Sequence, residues 1–164
     1  MDYASPWDLL IQGIKLHQTL DLVGLLLERL DCALDVEEVS APDWLLPVRL
    51  STQRLQGRGV NQCWEPARRL AARRQLRCSA AMLLRVRDMS HQLALPAEQR
   101  AANVRQAFLI EPRQTHHLRG RHVAVLDDVM TTGATIHELA LTLRRAGALS
   151  VQAWALAHTP DPRH

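Results

Sequence analysis

Asp127 and Asp128 stand side by side after a short apolar run, Val123, Ala124, Val125 and Leu126. Thr131, Thr132, Gly133, Ala134 and Thr135 follow almost at once. Adjacent carboxylates repel each other and are costly to bury without partners. They make sense where they accept hydrogen bonds from sugar hydroxyls or face a divalent cation. The threonine–glycine run supplies the complementary half of such a site. It leads into a helix that Thr131 or Thr132 can cap, and Gly133 permits backbone torsions and close approach that other residues resist. The free N–H groups of the first turn then converge on one spot and make an anion site. The helix dipole contributes only ~0.3–1 kcal/mol. Charge-assisted hydrogen bonds from N–H and threonine hydroxyls contribute roughly 1.5–3 kcal/mol each. Several together can hold a phosphate without a lysine, and this loop has none. The plainer alternative, a capping turn followed by solvated acids, does not account for the apolar strand, the acid pair and the threonine run occurring together.

The elements that must position this loop are legible as periodicities. Residues 121–127 read as a strand, 128–133 as a tight loop, and 134–146 as a helix ended by Gly147. On that helix Ile136, Leu139, Ala140 and Leu143 share one face. Upstream, residues 44–48 read as a buried strand, 49–60 as a loop containing Gly57 and Gly59, and a helix begins near Asn61 with Pro66 in its first turn. Residues 80–85, 107–110 and 151–157 read as further strands, 96–104 as a short helix, and 112–120 as a polar loop. Strands alternating with helices predict an α/β fold with a mainly parallel, Rossmann-like sheet flanked by helices. Ligands in such sheets bind beyond the carboxyl ends of the strands, where Asp127 and Asp128 fall. Two helices are expected before this, over 6–13 and 19–30, with Leu20, Val23, Leu27 and Leu30 on one face of the second. Residues 1–40 thus read as a small helical lobe ahead of an α/β domain at 41–164.

Other α/β sites fit less well. There is neither a Gly-Lys-Ser/Thr phosphate loop nor a Gly-x-Gly-x-x-Gly fingerprint. Receiver domains also carry an Asp-Asp strand end, but near their start, whereas here most of the chain precedes it.

The segment 123–135 resembles the ribose-phosphate signature of type I phosphoribosyltransferases. The resemblance implies that Asp127 and Asp128 take the ribose hydroxyls and Mg²⁺, and that Thr131, Thr132, Gly133, Ala134 and Thr135 cradle a 5′-phosphate. The stretch from Pro47 through Arg49, Leu50, Arg58 and Gly59 to Asn61 and Gln62 narrows the match. So does a second block with Arg85, Gln92, Arg100, Asn103, Val104 and Phe108. Both look like the ComF/GntX family of competence-associated, phosphoribosyltransferase-like proteins. Leu10 to Lys15 is similar to that family's opening. By this resemblance Arg49, Leu50 and Ser51 belong to a pyrophosphate loop; read from the residues themselves, Arg49, Arg54 and Arg58 beside two glycines make a diphosphate-facing cluster, with arginines on a solvated loop as the alternative. Arg85, Arg87, Gln92, Arg100 and Asn103 would line a lid, and Lys15 would sit in a hood. The resemblance implies binding of phosphoribosyl pyrophosphate with Mg²⁺, and transfer of its phosphoribosyl group to an acceptor. The alternative it carries is a non-catalytic DNA-uptake protein that senses the same ligand, holds single-stranded DNA and works with other uptake proteins; a homodimer is left open. Val60 stands where phenylalanine is usual and Leu16 where an aromatic is usual. The four-cysteine zinc finger of most members is missing, which fits a finger-less member or a shortened chain.

Charge is distributed unevenly. Residues 49–87 hold ten arginines against Glu65 alone, while residues 1–43 hold nine acids against Lys15 and Arg29. An arginine-rich segment suits anionic ligands, and compositional bias toward Arg, Leu and Ala is the competing explanation. Arg68, Arg69, Arg73 and Arg74 read as solvated positions on one helix and as the candidate face for single-stranded DNA, with Trp64 a candidate to stack a base. Cys32, Cys63 and Cys78 are scattered without a Cys-x-x-Cys pair, so no structural zinc is expected. No His-x-x-x-His or His-x-His spacing suggests a metal site either. The chain is 47% hydrophobic, yet no apolar run reaches the roughly 18 residues a membrane span requires. Its start lacks a basic region followed by an apolar core. A cytoplasmic address is the expectation.

Overall fold

The computed structural model describes residues 20–48, 63–85, 107–130 and 132–158. In chain order these form α1 (Leu20–Val36), β1 (Trp44–Pro47), α2 (Trp64–Arg74), β2 (Arg77–Cys78), β3 (Leu83–Arg85), β4 (Phe108–Ile110), a 3₁₀ turn (Pro112–His117), β5 (His122–Met130), α3 (Ala134–Arg145) and β6 (Ser150–His158). Strands β2, β1, β5 and β6 lie in that order in one sheet, and every neighbouring pair is parallel. β3 and β4 form a separate antiparallel pair. Among the described residues no helix is long and apolar enough to cross a membrane.

Side-chain alternation explains the layers. Along β5, Ala124 and Leu126 enter one core with Leu45 of β1, Trp154 of β6 and the apolar faces of α1 and α2. Val123 and Val125 enter the other, with Leu46, Phe108 of β4, and Leu139 and Leu143 of α3. All four β5 residues are fully buried because both faces of the sheet are covered. Truncating one of them, as in Leu126→Ala, should cost about 2–5 kcal/mol. Leu26 and Leu27 of α1 share the first core with α2 and the sheet.

Several boundaries differ from those the sequence suggests. α1 runs past Leu30 to Val36 because Leu34, one turn further on, is also buried against the same core. β5 does not end at Asp127: β6 continues alongside it, pairing Val129 with Ala157 and Met130 with His158. β2 spans two residues, too short to leave a periodic signal, and is held by its register against Trp44 and Leu45. The strand expected at 80–85 is confined to Leu83–Arg85. The polar segment after Pro112 winds into 3₁₀ geometry, with Gln114 N–H bonded to the Glu111 carbonyl at 2.9 Å.

Candidate functional site

The carboxyl end of β5 carries Asp127 and Asp128, and α3 begins a few residues later. Each aspartate is fixed by the next peptide group. The Asp128 N–H donates to Asp127 Oδ1 at 3.0 Å, and the Val129 N–H to Asp128 Oδ1 at 2.9 Å. Burial is the main reason Asp127 is pushed up to about 7, with the charge of Asp128 adding to it and the charge of Arg85 opposing it. Arg85, at the end of β3, lies over the Phe108 ring with its guanidinium carbon 5.4 Å from the centroid. One residue of the expected lid is therefore placed within electrostatic reach of the acid pair.

At the start of α3 Thr132 does not cap the helix, and Thr131, the other expected cap, lies outside the described residues. Gly133 occupies the N-cap position with φ 71°, and among the described residues no side chain caps the helix. The conformation is left-handed, which glycine adopts without the penalty a Cβ would bring. The first helical bond runs from His137 N–H to the Gly133 carbonyl at 2.8 Å. The N–H groups of Ala134, Thr135 and Ile136 precede it and have no intrahelical acceptor. Thr132 is exposed, and Gly133, Ala134 and Thr135 are half-buried.

The structure also adds a residue that sequence reasoning did not connect with this site. Cys63, buried at the N-cap of α2, offers its Sγ within 4.8 Å of carboxylate oxygens from both Asp127 and Asp128. Its distance from them along the chain left no spacing signal. Cys32 and Cys78 lie apart from this site and form no disulfide, and burial pushes Cys78 up to about 11.

Of the four α2 arginines, Arg68 and Arg73 are exposed as helical spacing suggests and Arg69 and Arg74 half-buried, but all four are paired with carboxylates. Arg68 and Arg69 both bond Glu65, at 2.9 and 2.8 Å, and these bonds hold the Glu65 carboxyl below its ordinary value. Arg73 lies 3.7 Å from Glu28 and 3.9 Å from Asp31. Arg74 bonds the Asp31 carboxylate and reaches Asp35 at 2.6 Å. Four carboxylates, three of them invisible to a pattern read along α2 because they belong to α1, thus face four arginines. Lys15, Arg49, Leu50, Ser51, Arg54, Arg58, Arg87, Gln92, Arg100, Asn103 and Thr131 lie outside the described residues.

Comparison with solved structures defines the class. A purine phosphoribosyltransferase from Pyrococcus horikoshii Ot3 superposes with TM-score 0.50 at 18% identity, covering 84% of this chain and 74% of that one. A glutamine phosphoribosylpyrophosphate amidotransferase from B. subtilis gives TM-score 0.51 at 19% identity over 80% of this chain. This chain spans only 26% of that larger protein. The fold is the α/β fold of type I phosphoribosyltransferases. No family model matches the sequence. Among curated proteins it is 33% identical to the DNA utilization protein YhgH of Escherichia coli K12, across 96% of this chain and 70% of that protein. It is 30% identical to competence protein F of Haemophilus influenzae, across 94% and 69%. The chain belongs to the ComF family.

Proposed function

We propose that this chain binds phosphoribosyl pyrophosphate together with Mg²⁺ at the carboxyl end of β5 and passes the phosphoribosyl group to an acceptor. The observation that carries the reading is the meeting of an acid pair with a helix start led by left-handed Gly133 at one strand end. Asp127 and Asp128 would accept hydrogen bonds from the ribose hydroxyls. Their carboxylate oxygens also suit Mg²⁺, which takes oxygen ligands in preference to the Cys63 thiol. When bound, the ion would neutralise charge on the departing pyrophosphate. The N–H groups at the start of α3, with Thr131, Thr132 and Thr135, would hold the 5′-phosphate and so orient the ribose. Arg85 would lend positive charge beside the acid pair. Arg49, Leu50, Ser51, Arg54 and Arg58 would serve the pyrophosphate, and Arg87, Gln92, Arg100 and Asn103 would complete the lid with Arg85, as the sequence resemblance implies. The names of the two solved neighbours support the ligand class.

The test begins with thermal melting. Phosphoribosyl pyrophosphate with Mg²⁺ should stabilise the folded chain by about 2.7 kcal/mol when present at a hundred times its dissociation constant. Asp127→Asn with Asp128→Asn should remove that gain while the ligand-free protein stays folded; an unchanged gain would sink the assignment. Release of pyrophosphate from labelled ligand across a panel of nucleobases then reads turnover.

A second reading, handling of single-stranded DNA, is favoured by the names of the relatives, a DNA utilization protein and a competence protein. Under it the fold would sense phosphoribosyl pyrophosphate and work with other uptake proteins. The paired arginines of α2 are a poor surface for it, since a phosphate would have to displace a carboxylate from each.

A further inference from the structure

The amino-terminal end of the sheet, away from Asp127, carries a different kind of surface. Residues 112–122 contain Arg113, His116, His117, Arg119, Arg121 and His122 and no acid. The 3₁₀ turn and the start of β5 bring this run to the amino ends of β1 and β2. There the Arg77 guanidinium carbon lies 5.8 Å from the centre of the Trp44 ring. The His117 ring is 5.8 Å from Trp44 on a tilt, and the His116 ring lies beside His117 at 3.9 Å, tilted by 43°. Trp44 also packs against the second core cluster, so the group is anchored in the sheet. Arg77, Arg113, His116, His117 and Arg119 are exposed. In 3₁₀ geometry positions three apart eclipse, which puts Arg113 over His116.

This surface differs from the α2 row in its charge balance. Among the described residues Arg77, Arg113 and Arg119 have no carboxylate partner. The local acids are few. Asp43 is occupied by Arg121 at 3.2 Å and by the His122 N–H at 2.8 Å. Glu111 is half-buried at the head of the turn.

We infer that Arg77, Arg113, Arg119, His116 and His117 form a binding surface for single-stranded nucleic acid, with Trp44 holding Arg77 in place. The inference rests on the second reading above and gives it a location. Unpaired cations follow the phosphate backbone, while the planar groups of Arg77, His116 and His117 supply faces on which bases stack. Polyanions without bases would use only the first feature, and duplex DNA hides its base faces; the pairing of charge with rings is what selects a single strand. From His122 to Asp127 is about 17 Å along the strand at ~3.3 Å per residue. A strand bound here would leave the phosphate-binding end of β5 free.

The test is fluorescence anisotropy of labelled oligo-dT with the full chain across a salt series. Arg77→Gln, Arg113→Gln and Arg119→Gln together should lower the log–log salt slope by about 2, at ~0.7 per neutralised phosphate. His116→Ala with His117→Ala should weaken binding roughly tenfold while changing the salt slope little. Melting with and without phosphoribosyl pyrophosphate and Mg²⁺ reports whether each variant is folded and whether the far site is intact. Changing Arg68, Arg69, Arg73 and Arg74 to Gln should leave the slope as in the wild type. If the wild type binds oligo-dT but the triple variant keeps its slope and affinity, the surface lies elsewhere and this inference fails alone. If the wild type does not bind at 50 mM salt, the DNA reading falls with it. Duplex DNA binding as tightly as oligo-dT would overturn the stacking argument.

Discussion

Arg74, at the end of α2, holds Asp31 of α1 twice: its Nε donates to the carboxylate and its Nη2 to the backbone carbonyl at 2.7 Å. The same Nη2 reaches Asp35 at 2.6 Å. With 21% of its side chain exposed, Arg74 is the least exposed of the four α2 arginines in ion pairs. It fastens α1 to α2 where their apolar faces meet the sheet. Arg74→Ala should therefore destabilise the fold by about 2 kcal/mol, within the range for charge-assisted hydrogen bonds. Arg74→Lys should recover less than half of that, because an ammonium cannot reproduce the fork. Denaturant unfolding of the two variants and an Arg74/Asp31 double-mutant cycle measure it. Additive single effects would mean that the two residues are neighbours without coupling.

Asp127 gives the ligand-free protein a pH dependence whose sign is fixed by its environment. The folded state keeps the proton up to about pH 7, whereas an unfolded chain releases it near pH ~4. Between those values the folded state binds more protons, so this group's contribution to stability falls as pH rises from about 4 to about 7. In metal-free buffer the melting advantage of Asp127→Asn over the wild type should be small at pH 5 and grow to its full size by pH 8. Arg85→Gln should push the Asp127 proton affinity further up, because the opposing positive charge is lost. An equal offset of Asp127→Asn at both pH values would rule the mechanism out.

The acid pair, the threonine run and the helix after it were legible because their chemistry is local: residue types within a dozen positions define both the donors and the acceptors. The parallel sheet was legible for a similar reason, since Val123 to Leu126 can be buried on both faces only where helices cover both. What escaped depends on contacts between distant segments. α1 extends to Val36 because Leu34 finds the core. β5 runs past Asp128 because β6 lies alongside it. The neutralisation of Arg73 and Arg74 requires Glu28, Asp31 and Asp35 to arrive from another helix. Cys63 joins the acid pair only through the packing of α2 against the sheet.

That neighbour predicts a metal preference that can be separated from ligand binding. Mg²⁺ gains nothing from a thiol, so Cys63→Ala should leave the stabilisation by Mg²⁺ and phosphoribosyl pyrophosphate within about twofold in apparent affinity. A soft ion such as Cd²⁺ should displace Mg²⁺ from the wild type and lose that advantage in Cys63→Ala. Competition melts, with thiolate-to-cadmium absorbance as a second readout, distinguish the two. Equal Cd²⁺ affinity in wild type and variant would place Cys63 outside the coordination reach of the carboxylates.

Gly133 offers a sharper separation, between folding and phosphate binding. Its φ of 71° places an L-residue in the left-handed region, at a cost of about 1–2 kcal/mol. A Cβ built there meets nothing within 4 Å, so no clash adds to that cost. Gly133→Ala should lower stability by that amount in the ligand-free protein. Asparagine visits the same torsions more readily, so Gly133→Asn should recover part of the loss. The open space beside Gly133 is where a 5′-phosphate would approach the N–H groups of α3, and both substitutions fill it. Both variants should therefore lose most of the melting gain from phosphoribosyl pyrophosphate with Mg²⁺, although Asn is nearer to wild-type stability without ligand. If the ligand gain instead tracks ligand-free stability across Gly, Asn and Ala, Gly133 serves the helix start alone and the phosphate sits elsewhere.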